Sequence, residues 1–286
     1  MKIKITVDST ADFSKELCDK YDIGVIPLIV DLGDNSYLDG DTINPSMIYE
    51  YVKQTKKLPK TSAVNSEQYK EYFQKFFAEG YDAIIHFNLS SEMSTTHQNA
   101  KMLEEEIPNL FVIDSRTLST GTALQAIYAS ELANTGKYEP KQIVELVEKR
   151  IPHTQASFVL DKLEYLYRGG RCSAVALLGA NLLKIKPAIE VHNGKMGMSK
   201  KYIGNFQKCV MKYVRDTLEK YNTPDTKRIF ITHTEIDPTI VEEVKKYLQE
   251  NTKFEEIYET TAGATITSHC GSHTIGILYL NDGNQK

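Results

Sequence analysis

Apolar Ile3, Ile5 and Val7 alternate with Lys4 and Thr6 at the start of the chain, which predicts a β-strand running into a polar turn at Asp8-Ser9-Thr10. Ser14 has the place and chemistry of an N-cap for a helix reaching Tyr21. Ile23 to Val30 reads as the next strand, Asn44-Pro45 supplies a cap and first-turn proline for a helix to about Thr55, and Ser66 starts another that Gly80 should end. Ala83-Ile84-Ile85-His86-Phe87 and Leu110-Phe111-Val112-Ile113 are apolar runs typical of strands covered on both faces, and a helical stretch follows each. This alternation of strand and helix predicts an α/β fold with a parallel, doubly wound sheet, whose ligands sit beyond the carboxyl ends of the strands.

After a helical pattern from Pro140 to Arg150, Pro152 interrupts the periodicity, and the chain turns toward glycine and basic residues from Arg168 to Lys186. At 286 residues the sequence exceeds the length at which one core stops growing, so two lobes are expected, residues 1–152 and 153–286. In the second, Ile185 to His192 and Lys195 to Lys201 flank Asn193-Gly194, a type I′ turn signal that predicts antiparallel pairing. Phe206 to Tyr221 and Ile240 to Gln249 have helical periodicity, while Ile229 to His233, Phe254 to Tyr258 and Ile275 to Leu280 supply further strands.

A formal net charge of -4 and a pI near 6.0, with Lys and Arg scattered among acids, give no general attraction to nucleic acid. No apolar run approaches the roughly 20 residues that span a bilayer, and the N-terminus enters a strand at once, so a cytoplasmic protein is expected. Cys18, Cys172, Cys209 and Cys270 are far apart and form no Cys-x-x-Cys pair, which fits reduced packing thiols.

Chemistry concentrates in two hydroxyl clusters, Thr61-Ser62 and Ser90, Ser91, Ser94, Thr95 and Thr96, where predicted strands or loops feed helices. Serine and threonine before a helix most often act only as caps, but a cap needs one oxygen, and this surplus at ends rich in free N–H groups favours an anionic ligand. In Tyr165-Leu166-Tyr167-Arg168-Gly169-Gly170-Arg171, paired glycines permit a tight turn between two guanidiniums, which either face solvent or hold an anion or an acidic partner. His269, in Thr267-Ser268-His269-Cys270-Gly271-Ser272-His273, can donate to an oxyanion. His269 and His273 are four apart, but Gly271 between them argues against one metal-binding helix. There is no Walker A lysine motif, and Gly179 stands without the spacing of a dinucleotide fingerprint, so ATP and NAD are not expected ligands. Ser94 with His269 and Asp114 is the alternative, a serine hydrolase or acyltransferase, although no Gly-x-Ser-x-Gly elbow occurs.

Taken in order, Val7-Asp8-Ser9-Thr10-Ala11-Asp12, Lys60-Thr61-Ser62, Leu89-Ser90-Ser91-Glu92-Met93-Ser94 with Gln98-Asn99-Ala100, Val112-Ile113-Asp114-Ser115, Arg168-Gly169-Gly170-Arg171, Leu183-Lys184-Ile185-Lys186-Pro187 and His269-Cys270-Gly271 before Gly276 span the chain. Together these segments resemble the DegV family and, within it, the fatty-acid-binding subunits of bacterial fatty acid kinases. The resemblance implies a two-lobed α/β protein holding one long-chain fatty acid, such as palmitate, stearate or oleate, between the lobes. It implies a carrier without turnover or cofactor of its own, whose ligand is phosphorylated by a separate kinase subunit resembling dihydroxyacetone kinases, and it admits transient membrane contact. By position in the motifs, Thr61, Ser62 and Ser94 would meet the carboxylate, with Arg171 and His269 nearby. Three places depart from the family pattern: Thr95 stands where the family often has glycine, Ala63-Val64-Asn65 where a proline is common, and Ser272-His273 where Pro-Gly is usual.

Overall fold

In the computed structural model, which describes residues 1–172 and 185–283, the first sheet is parallel throughout, with strand order β2-β1-β6-β7. Its strands are β1 (Ile3–Asp8), β2 (Ile23–Ile26), β6 (Ala83–Asn88) and β7 (Leu110–Asp114). Consecutive strand residues point to opposite faces, so Ile84, Leu110 and Val112 meet Tyr69, Phe73 and Phe76 of α3 (Ser66–Ala78), while Ile85, Phe87 and Ile113 join the core on the other side. Caps stand where the sequence places them: Ser14 accepts from Leu17 N at the start of α1 (Lys15–Tyr21), and Asn44 accepts from Met47 N at the start of α2 (Pro45–Thr55).

The expected strand from Ile23 to Val30 is two strands in two sheets. Pro27, which has no N–H for a ladder, separates β2 from β3 (Ile29–Leu32), and β3 enters a small antiparallel sheet of order β4-β3-β5 with β4 (Asn35–Leu38) and β5 (Lys60–Ser62). That break carries the chain out over the parallel sheet, and β5 brings Thr61 opposite Val30.

Six strands form the third sheet, in order β10-β9-β8-β13-β11-β12. They are β8 (Thr154–Leu160), β9 (Ile185–His192), β10 (Lys195–Ile203), β11 (Arg228–His233), β12 (Glu256–Thr261) and β13 (Thr274–Leu280). Pairing is antiparallel except between β11 and β12. Two later helices, Phe206–Lys220 and Pro238–Asn251, cover one face. The other face sends Phe158, Ile189, Phe230 and Leu278 into the same core as Val7 and Phe87 of the parallel sheet.

Between the sheets runs α5 (Thr120–Asn134), following α4 (Thr96–Lys101) in the chain, and α6 (Pro140–Arg150) packs beside it. Helix α5 is buried on nearly all sides along its first three turns; its polar Thr120, Thr122, Gln125 and Ser130 are hydrogen-bonded, and its small Gly121, Ala123, Ala126 and Ala129 allow close approach. The Ile185–Pro187 part of the motif at 183–187 begins β9, while Leu183, Lys184 and Gly179 lie outside the described residues.

The Asn193-Gly194 turn joins β9 to β10 as expected, with φ of 50° and 82°. Its tip rests on the second hydroxyl cluster: Ser90 Oγ donates to Gly194 O at 2.8 Å, the Arg116 guanidinium donates to Asn193 O, and Lys195 pairs with Glu92 at 3.3 Å. A Cβ on residue 194 would lie 2.5 Å from Ser90 Oγ. Gly194→Ala is therefore expected to cost about 1 to 3 kcal/mol through the positive φ and this contact. Thermal unfolding checks it, and an unchanged melting temperature would show that the turn does not rest on Ser90.

Candidate functional site

A cavity of about 430 Å³ opens where β5, the loop from Leu89 to Thr95 and a short helix, α10 (Ala264–Cys270), converge, and all six expected site residues, Thr61, Ser62, Ser94, Thr95, Arg171 and His269, line it. They differ in how free their polar atoms are. Thr61 Oγ1 lies 2.9 Å from His269 Nε2, which joins β5 to α10. Ser62, the next residue on the strand, turns its hydroxyl the other way and donates to Asp31 Oδ2 at 3.1 Å. The first cluster therefore sits on a strand and not at a helix N-terminus, since α3 begins at Ser66 under an Asn65 cap.

The second cluster does precede a helix. Ser94 Oγ accepts from Thr96 N at 3.2 Å at the start of α4, Ser90 is fully buried and bonds Gly194, and Ser91 Oγ donates to Asp114 Oδ2 at 2.5 Å. Much of the surplus polarity is thus structural, leaving Ser94 and Thr95 as the hydroxyls beside the cavity with no such outward partner. Thr95 stands at φ −79°, ψ 0°, backbone open to any L residue, so the side chain at this position causes no strain.

Helix α7 (Glu164–Gly169) delivers the glycine pair. Gly170 ends it at φ 71°, as a tight turn requires. Gly169 serves close approach instead: a Cβ there would lie 2.6 Å from His269 Nδ1. Arg171 is exposed, and its guanidinium donates to Gly169 O at 2.7 Å.

His269 stands in the last turn of α10, a helix the sequence pattern did not predict. Gly271 ends this helix, so His273 lies beyond it and the two histidines do not share a face. Burial, and then the Arg171 guanidinium, push the His269 pKa down to about 4, so the ring is neutral at pH 7. The imagined triad is not assembled, because the His269 Nε2 partner is Thr61 and Asp114 is engaged by Ser91 and Arg116. Cys270, a lining residue, is buried, and its thiol is pushed up to about 12, first by burial and then by Asp12.

Apart from the hydroxyls, His269 and the charged Glu92 and Arg171, the lining is apolar: Leu28, Leu89, Leu118, Leu166, Met196 and Ile266 among others. Leu118, Ile266 and Cys270 also line an inner chamber of about 30 Å³ bounded by Ala156, Phe158 and Leu278. Leu89 and Leu166 fall within segments quoted from the sequence, but none of these apolar residues was expected there as lining, because in sequence they look like ordinary core positions. The arrangement is a polar mouth of hydroxyls and a neutral imidazole over a hydrocarbon-lined interior, suited to an amphipathic ligand. Among the described residues no group of His, Cys, Asp and Glu is placed to hold a metal ion, and no helix is long and apolar enough to cross a membrane.

The family model described as "Uncharacterised protein, DegV family" matches residues 2–282. A DegV domain-containing protein of Clostridium acetobutylicum is 31% identical over 283 residues, covering 98% of each chain. A solved DegV lipid-binding protein from Thermotoga maritima is 28% identical with a TM-score of 0.84, covering 98% of each chain. A DegV family protein from Thermus thermophilus, solved in connection with its fatty acid binding, is 26% identical with a TM-score of 0.87, covering 98% of this chain and 100% of that one.

The lowered pKa of His269 carries a sign. Its neutral form is favoured in the folded state, so stability is lost as pH falls from about 6.5, where the unfolded histidine takes up a proton, to about 4. NMR of the His269 ring should show no titration above pH 5; a midpoint near 6.5 would contradict the burial argument. Gly169→Ala should push the ring off Thr61 and cost about 1 to 3 kcal/mol by overpacking. The same ring resonances and a melting curve check this, and an unmoved His269 would count against it.

Proposed function

The chain belongs to the DegV family, and on that premise we propose that it binds one long-chain fatty acid and presents the carboxylate to a partner kinase subunit in the cytoplasm. The observation that carries this reading is the cavity itself, which combines a cluster of hydroxyls and the His269 ring with a largely apolar lining shared with an inner chamber. Relatives of similar fold described as lipid-binding and fatty-acid-binding proteins support the same ligand class. In this reading the ligand is a palmitate, stearate or oleate, the division between lobes falls near Pro152, and the protein is a carrier without turnover of its own.

The two ends of the ligand then have different roles. At about 0.8 kcal/mol per buried CH₂, a tail of roughly 14 methylenes contributes on the order of 11 kcal/mol gross, before the costs of ordering and association. The tail supplies affinity. A buried carboxylate without partners costs several kcal/mol, and Thr61, Ser94 and the His269 ring, with N–H groups at the start of α4, offset that cost and fix orientation. Neutral donors leave the carboxylate oxygen less tightly neutralised than an arginine fork would. That suits an oxygen that must attack a phosphoryl donor held by another subunit.

Native mass spectrometry of the purified protein is expected to show one bound fatty acid; its absence, with no binding of added palmitate or oleate, would sink the proposal. Thr61→Ala combined with Ser94→Ala should weaken palmitate binding roughly tenfold to hundredfold, from two lost hydrogen bonds to a charged group. Unchanged affinity would remove these residues from the head-group site. A fluorophosphonate probe should leave Ser94 unlabelled, and labelling that disappears in Ser94→Ala would favour the hydrolase instead.

A further inference from the structure

The Val7–Asp12 motif reaches the cavity only through Thr10, and its acids Asp8 and Asp12 are not lining residues, yet with Asp39 they are among the least exposed acids of the described residues. Asp8 is fully buried, and Asp12 and Asp39 are each 4% exposed. Each accepts from N–H and O–H donors on segments that build the cavity or lead into it. Asp8 Oδ2 accepts from Leu89 N at 2.8 Å, at the start of the second hydroxyl loop. Asp12 Oδ1 accepts from Gly263 N at 2.8 Å, and Asp12 Oδ2 meets Ser119 Oγ at 2.5 Å. Asp39 Oδ1 accepts from Ala264 N at 2.7 Å, and its Oδ2 accepts from Thr265 N at 3.2 Å and from Ser9 Oγ at 2.9 Å.

Two of these carboxyl groups converge on one place. A Cβ built on Gly263 would lie 3.1 Å from Asp39 Oδ1 and 3.4 Å from Asp12 Oδ1. Three successive N–H groups, of Gly263, Ala264 and Thr265, thus find their acceptors on two acids more than 200 residues earlier in the chain. These N–H groups open α10, whose seven residues are far too few to hold a helix in place by their own hydrogen bonding. One turn beyond Thr265 the same helix presents His269 to Thr61.

We infer that Asp12 and Asp39 are positioning residues of the head-group site: they seat the start of α10 and thereby set where the His269 ring stands against Thr61. This rests on the fatty-acid reading above. Neither acid lines the mouth of the cavity, so their effect on a ligand passes through His269. An asparagine at position 39 keeps one acceptor and replaces the other with an amide that faces a donor, so Ala264 N and Thr265 N can no longer both be satisfied. Burial, against the hydrogen bonds of Ser119 and Gly263, raises the Asp12 pKa to about 8, so Asp12 is mainly neutral at pH 7 and Asp12→Asn is a mild change.

The test is a double-mutant cycle on palmitate affinity at pH 7, measured by titration calorimetry on the delipidated protein. Asp39→Asn should weaken palmitate about tenfold when His269 is present and less than twofold in the His269→Ala background. Equal losses in both backgrounds, or no loss in either, would overturn the proposal while leaving fatty-acid binding intact. No palmitate binding by the unaltered protein would overturn the fatty-acid reading and this inference together. Should Asp39→Asn not fold, Asp12→Asn carries the same cycle with the same decision, an about threefold loss that vanishes without His269.

Discussion

Burial of α5 between two sheets is the constraint on which the rest of the structure depends. Ala123, Leu124, Ala126 and Ile127 on this helix belong to one core with Ile85 and Phe87 from the parallel sheet and with Phe158 and Leu278 from the six-stranded sheet. A shared core leaves the two halves little freedom to separate, because parting them would return apolar surface of both to water. The cavity lies where this helix starts: Leu118, two residues before α5, lines both the outer cavity and the inner chamber. A ligand tail there would complete the same core, which ties the interior of the site to the packing of the whole molecule.

Close packing of this kind leaves polar groups stranded unless they find partners; hydroxyl chains supply many of them, while His269 Nδ1 and Thr265 Oγ1 stay buried without one. Thr120 Oγ1 lies 2.6 Å from Thr232 Oγ1, which lies 2.9 Å from Thr260 Oγ1, so one run of threonines ties the start of α5 to β11 and β12. His86, buried in β6 with its pKa pushed down to about 3 by burial and then His97, shares its two ring nitrogens between Thr6 and Asn88. Strain collects in the same region. Ser119 adopts φ 53° and ψ −144°, a conformation L residues rarely occupy, and its hydroxyl meets the Asp12 carboxyl group at 2.5 Å. An unfavourable backbone conformation persists there because the surroundings fix it from several sides.

Local chemistry was legible in the sequence wherever a few neighbouring residues settle the outcome. The α6 limits at Pro140 and Arg150, the Asn44 cap and the Asn193-Gly194 turn all follow from side chains acting on their own backbone. What sequence reasoning missed depends on distant partners. Helix α10, Ala-Thr-Ile-Thr-Ser-His-Cys, has no amphipathic period and poor helix formers, and tertiary contacts to Asp12 and Asp39 define its start. Ile29–Leu32 pairs into a different sheet from Ile23–Ile26, a division that Pro27, with no N–H for the ladder, marks in the sequence. The first glycine of Arg168-Gly169-Gly170-Arg171 looks like a turn residue, yet what requires it is a histidine one hundred residues later.

That difference explains why the candidate site could be named residue by residue while its construction could not. Thr61 comes from the small antiparallel sheet, Ser94 from the loop after β6, and His269 from a helix that follows β12, so no single element brings any two of them together. Each stands on a short or irregular segment whose place is set by other parts of the chain: β5 by β3, the Ser90 loop by the hairpin tip at Gly194, and α10 by buried acids. A pocket mouth assembled in this way is precise only while its supports hold. Substitutions far from the mouth are therefore expected to reach it through these supports, and the Arg171 guanidinium beside the hydroxyls and the imidazole is itself held by Gly169 O.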